Sequence, residues 1–208
     1  MDLTKVQKRI FKGVNENEGK KYILLLLNSL DQKPIKGKTK FMKELFFIAH
    51  NVPSLYDLLK FEPDNYGPNS DVVSRYLEEM SQLDLIKFKN RNTTNKDSFK
   101  YFLGNYGKKI MNELNTEEID KELLDDIKSL FDGLTFNETL ALTYYTYPEM
   151  TEESLVMKEI ESKREKLSLN LYKKGKISAA KASEIANIPL TQFLDLLKEK
   201  KIPMELLI

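Results

Sequence analysis

The sequence predicts a mostly α-helical protein with one β-hairpin, and three observations predict it. Apolar residues recur at helical spacing along most of the chain, only residues 85–103 alternate in the manner of strands, and Gly, Pro and capping residues interrupt the helical runs at short intervals. Helix, helix, helix and hairpin in the first 114 residues is the order of a winged helix-turn-helix with a hairpin wing. A helical middle segment and a C-terminal helix-turn-helix are expected to follow. The implied domains are 1–114, 115–174 as a linker or dimerisation segment, and 175–208.

Leu3, Val6, Ile10 and Val14 recur at helical spacing with Lys5, Lys8, Arg9 and Lys12 between them, which predicts a short basic helix over 2–13. "KKYILLLLNSL" is apolar nearly all round and predicts a buried helix. "DQKPIKGKT" reads as a polar connection, and "KTKFMKELFFIAH" as a second helix. The stretch from Asn51 to Asn69 reads as a longer connection with one helical turn at its Pro-Ser-Leu start. A third helix starts after Gly67-Pro68, where Asn69 or Ser70 caps it and Val72, Val73, Tyr76, Leu77 and Met80 face inward. "LIKFK" and "FKYFL" form the hairpin strands around the polar loop "NRNTTNKDS", and "GNYGKKIMNEL" closes the domain as a helix.

Asn115 three residues before Glu118 predicts a capped helix over 115–131, ended by Gly133. Thr135 three before Glu138 opens the next, which stops at Pro148. Thr151 is expected to start a long charged helix to Lys174, with Leu155, Ile160, Leu167 and Leu171 buried. In the tail, Ser178 caps a short helix, Ala182 and Ala186 permit close helix contact, and Asn187 supplies a left-handed turn residue. Ile188, Phe193 and Leu196 then serve a second helix, a helix-turn-helix spacing.

Lys and Arg number 33 against 32 Asp and Glu, so total charge predicts no nucleic-acid partner. The distribution is uneven: residues 1–43 hold eleven bases and four acids and 84–109 seven and two, whereas 113–165 hold five and fifteen. Solvated helix faces explain such blocks as well as one positive surface does. The absence of cysteine excludes disulfides and thiolate chemistry, and one histidine, His50, is too few for a typical zinc site or a histidine-based triad. Neither GxGxxG nor a complete P-loop occurs, so no cofactor and no enzyme are expected. "YILLLL" is too short to span a bilayer, and a cytoplasmic location without membrane contact is expected.

Binding has better material. Lys87, Lys89, Arg91, Lys96 and Lys100 cluster on the hairpin, where wing residues meet phosphate and minor groove, although lysines also keep an edge hairpin soluble. Lys36, Lys38, Lys40 and Lys43 add candidate phosphate contacts. On the third helix the outward residues are Asn69, Ser70, Asp71, Ser74, Arg75 and Glu78. Arg75 is the cation suited to guanine, Asn69, Ser70 and Ser74 are hydrogen-bonding candidates, and the acids leave room for a protein partner instead. Thr191 and Gln192 begin the tail's second helix and Lys181 lies on its first. Tyr144, Tyr145 and Tyr147 read as packing residues.

The tail, "LYKKGKISAAKASEIANIPLTQFLDLLKEKKIP", resembles a family of small archaeal and bacterial proteins predicted to be antitoxins of toxin–antitoxin pairs. Tyr172, Gly175, Lys176, Ile177, Ser178, Ala182, Glu184, Phe193, Leu196, Leu197, Ile202 and Pro203 carry the match. The first 110 residues look like archaeal winged-helix DNA-binding proteins and, through Tyr66-Gly67-Pro68, distantly like the Panacea antitoxin domain. The resemblance implies a double-stranded DNA-binding regulator, antitoxin or autoregulator of a two-gene module, with a toxin or other protein as partner. Two-fold symmetry would double a modest contact set, so a homodimer is expected. The alternative is a module that binds a partner protein without touching DNA.

Overall fold

The computed structural model describes residues 4–89 and 99–204. These residues form twelve α-helices and a three-stranded antiparallel sheet, so the chain is mostly helical. They divide into two compact units, one made of 1–61 with 69–132 and the other of 62–68 with 133–208. No helix among the described residues is long and apolar enough to cross a membrane.

In the first unit, α1 (Lys5–Asn15) begins later than its apolar spacing implies, because Thr4 and Gln7 close a capping box ahead of it. Asn17 caps α2 (Glu18–Gln32), in which Tyr22 to Leu27 are all buried. This is the central helix, as an all-round apolar run requires. The regular helix stops at Ser29, and Leu30, Asp31 and Gln32 then adopt left-handed φ of 45°, 52° and 60°.

The polar connection after α2 contains a strand, β1 (Ile35–Lys36), too short for any periodicity to reveal. Then come α3 (Lys38–His50), α4 (Pro53–Leu59), α5 (Asp71–Gln82), β2 (Ile86–Lys89), β3 (Lys100–Leu103), α6 (Asn105–Ile110) and α7 (Lys121–Phe131). The sheet order is β1-β3-β2, with Ile35 opposite Tyr101 and Phe88 opposite Tyr101 from the other side. Gly107 lets α6 lie against the start of β2, since a Cβ there would sit 2.0 Å from the Leu85 carbonyl oxygen. Ring contacts tie the layers: Phe41 to Tyr101 at 5.2 Å, Phe46 to Phe61 at 5.3 Å and Phe47 to Phe131 at 4.9 Å.

Two expectations are corrected here. The connection after α3 holds a seven-residue helix rather than one turn, because Val52-Pro53 starts it and Leu55 and Leu59 are buried. The cap of α7 is Asp120, whose side chain accepts from the Leu123 amide at 3.0 Å, whereas Asn115 accepts from the Glu117 amide in a local turn.

The second unit contains α8 (Phe136–Thr146), α9 (Met157–Ser162), α10 (Arg164–Lys173), α11 (Ala179–Ala186) and α12 (Leu190–Glu199). Thr135 and Glu138 form the capping box of α8 as the spacing predicts. Leu140, Ala141, Tyr144, Ile160 and Leu167 make its core. Residues 62–68 pack into the same unit: the Asn65 carbonyl accepts from the Leu155 amide at 3.0 Å, and Gly67, at φ 81°, lies beneath the Tyr144 ring.

That hydrogen bond accounts for a further correction. The backbone at Ser154 and Leu155 serves a turn rather than a helix, so the helix expected from Thr151 starts only at Met157, and a separate break at Lys163 divides it into α9 and α10. Leu155 is 74% exposed instead of buried. Residues 115–174 are shared between the units, α7 packing on α2 and α3, and α10 on α8 and α11.

Candidate nucleic-acid interface

Lys38 and Lys40 occupy the first turn of α3, half-buried, directly after Gly37. Lys38 Nζ donates to Ser74 Oγ on α5 at 3.0 Å, and Ser74 Oγ in turn donates to the Ser70 carbonyl at 3.1 Å. One chain of hydrogen bonds therefore joins the start of α3 to the first turns of α5. Arg75, the next residue, is exposed, and Asn69 is half-buried just before the cap. The N-terminal ends of both helices carry partial positive charge, which adds to the lysines.

Ser70 does not belong with them. It is 1% exposed, accepts from the Val73 amide at 3.1 Å and donates to the Leu59 carbonyl, so its hydroxyl caps α5 and anchors it to α4. The expectation that Ser70 points outward is wrong because capping geometry turns its side chain back over the helix end.

On the hairpin, Lys89 is exposed and its ammonium lies 5.9 Å from the Phe102 ring centre. Lys87 is half-buried and pairs with Asp84 at 3.1 Å, a bond that holds the Asp84 carboxyl below its usual range. Its charge is thereby partly compensated. Arg91 and Lys96 lie outside the described residues.

The second unit presents α11 and α12 joined through Asn187, at φ 57°. Thr191 and Gln192 are exposed on the first turn of α12, beside Leu190, which is 42% exposed. Phe193 and Leu197 are its buried residues, and Leu196 is half-buried. Lys181 is engaged within the unit, with Glu184 at 3.0 Å and the Tyr145 carbonyl at 3.4 Å.

Arg164 organises this helix pair although nothing in the sequence singled it out. Its guanidinium stacks on Tyr145 at 4.4 Å and donates to the carbonyls of Ile185 at 2.6 Å and Glu184 at 3.3 Å, closing the end of α11. Burial pushes the Tyr145 hydroxyl above its usual value. Tyr144 is fully buried with its hydroxyl 2.8 Å from Ser154 Oγ, so it is a packing residue, as expected.

Sequence reasoning also missed two buried titratable groups in the first unit. Glu44 on α3 and Lys128 on α7 are 2% and 3% exposed. Burial pushes the Glu44 carboxyl up to about 8, against the opposing pull of Lys128 and Lys40, and draws Lys128 down to about 8 against that of Glu44.

A model of an uncharacterised protein family, UPF0175, matches residues 143–207, the stretch from the last turn of α8 through α12. No curated protein matches the chain.

Proposed function

We propose that the protein is a double-stranded DNA-binding transcriptional regulator, and the antitoxin and autoregulator of a two-gene module. The observation that carries the reading is the Lys38–Ser74 bond, which couples two helix starts beside the exposed Arg75. In this reading the first unit is a winged helix, with α5 as the helix entering the major groove and the β2–β3 hairpin as its wing. The β1-β3-β2 order supports it by leaving β2 at the sheet edge beside its hairpin partner β3. A cytoplasmic homodimer without catalytic activity is part of the same proposal.

The family match favours a second role for the tail. Residues 143–207 match a family without any counterpart of the first unit in the match, and Leu190, Thr191 and Gln192 leave an apolar and polar patch open on α12. A toxin or other protein partner would be held there. In the alternative reading this is the whole function and DNA is not touched.

Fluorescence anisotropy of the full chain against pooled genomic duplexes, from roughly 50 to 200 mM salt, decides between them. Tight binding to a few fragments that weakens steeply with salt is the expected result. No binding at the lowest salt rejects the DNA reading and leaves the partner-binding one.

A further inference from the structure

The strand register sets three lysines side by side. Lys36 on β1 is opposite Lys100 on β3, and Lys100 is opposite Lys89 on β2, so one rung crosses all three strands. Directly opposed residues share a face, and all three side chains are exposed. None of them forms an ion pair among the described residues. On the same face Lys87 is opposite Phe102, whose ring lies under Lys89.

Like charges placed directly opposite destabilise a sheet. Threonine at the same positions would favour strand structure and keep the face polar. A row of three cations in the least favourable register, without an ion-pair partner among the described residues, suits an anionic counterpart.

Its dimensions say which. Two strand spacings make the row about 9.5 Å long. Successive phosphates of one nucleic-acid strand follow the backbone and are spaced more widely than their axial rise of about 3.4 Å, so a row of this length meets about two of them. Lys36 is followed by Gly37 and then by Lys38 on α3, which makes the row continuous with the helix start described above.

We propose that Lys36, Lys100 and Lys89 form a phosphate-tracking row that holds the sugar–phosphate backbone of one DNA strand against the outer face of the sheet. This rests on the DNA-binding reading and adds to it a contact surface other than the recognition helix and the wing loop. Such a row positions the duplex and carries no sequence information of its own.

The test uses the full chain with Lys36→Gln, Lys89→Gln and Lys100→Gln, singly and together, and Lys100→Arg as the charge-preserving control. Each lost phosphate contact is expected to lower the slope of log K against log salt by about 0.9, so the triple variant by about 1.8 or more, with Lys100→Arg unchanged. Thermal unfolding supplies the second readout. Lys100→Gln, at the centre of the row, is expected to melt higher than the unaltered chain while binding duplex more weakly, a pair of effects that damage to the fold cannot produce. If the unaltered chain binds duplex and the triple variant keeps its slope, the row is wrong and the DNA reading stands. If the unaltered chain binds no duplex, both fall together.

Discussion

The buried ammonium of Lys128 lies 2.8 Å from the Ser29 carbonyl, so a side chain of α7 caps the end of α2. Two further bonds, to Leu26 at 2.9 Å and Leu27 at 3.4 Å, take up the carbonyls that a helix leaves unpaired at its C-terminus. Ser29 contributes to the break itself, its hydroxyl donating back to Leu25 at 3.0 Å. Lys128→Met keeps much of the length and removes all three donors. It is expected to destabilise the protein by about 3 kcal/mol, because buried carbonyls lose their partner and Glu44 loses a neighbouring cation. Urea unfolding followed by circular dichroism measures this, and a loss below about 1 kcal/mol would contradict the capping role.

Glu44 makes stability depend on pH. Its carboxyl is pushed up to about 8, first by burial, from an ordinary value near 4.5. Between those values the folded chain retains a proton that the unfolded chain has released, so stability falls as pH rises, by up to about 1.4 kcal/mol per unit. Lys128, drawn down to about 8, has the opposite slope, but only above that pH, where the unfolded chain keeps the proton longer. Unfolding midpoints are therefore expected to drop from pH 5 to 8. Glu44→Gln, a neutral mimic of the protonated acid, is expected to flatten that decline, and an unchanged pH profile in this variant would refute the assignment.

Much of this fold is legible because helix ends announce themselves locally. Thr135 with Glu138, Ser178 and Ser70 each bond the amide three residues on, and such spacing is visible without the rest of the chain. What stayed hidden depends on partners distant in sequence. The two residues of β1 are a strand only because β3 lies beside them, and the Lys128 bonds span about a hundred positions. Asn115 and Asp120 are equally good caps by type, and only the apolar residues that find a core decide for Asp120. Helical spacing places Leu155 in the core, but its backbone amide donates to the Asn65 carbonyl within a turn. At the candidate interface, Arg75 and Lys89 could be read as exposed from periodicity, whereas the capping side chain of Ser70 could not be told from an outward one.

Gly67 supplies a prediction for the second unit alone. Its φ of 81° disfavours any side chain, and a Cβ there would meet Tyr144 Cε1 at 2.7 Å. Gly67→Ala is expected to cost about 2 kcal/mol through strain and the displaced ring. Tyr144→Phe removes only the hydroxyl bond to Ser154 and is expected to cost about 1 kcal/mol. Equal melting temperatures for Gly67→Ala and the unaltered chain would show that the loop does not need the glycine.

Ser70 and Arg75 lie five residues apart and separate structural from recognition roles. Ser70 is buried and bonded both ways, to the Val73 amide and the Leu59 carbonyl, so Ser70→Ala is expected to cost about 1–2 kcal/mol of stability. Its effect on duplex affinity should vanish once the folded fraction is taken into account. Arg75 is exposed on the second turn of the same helix, and Arg75→Ala is expected to leave stability within about 0.5 kcal/mol. Under the DNA-binding reading it reaches a base edge, so its loss should reduce discrimination between the preferred duplex and a scrambled one by about 1–3 kcal/mol. A loss of affinity equal for both duplexes would make Arg75 a phosphate contact, and no loss for either would remove α5 from the interface.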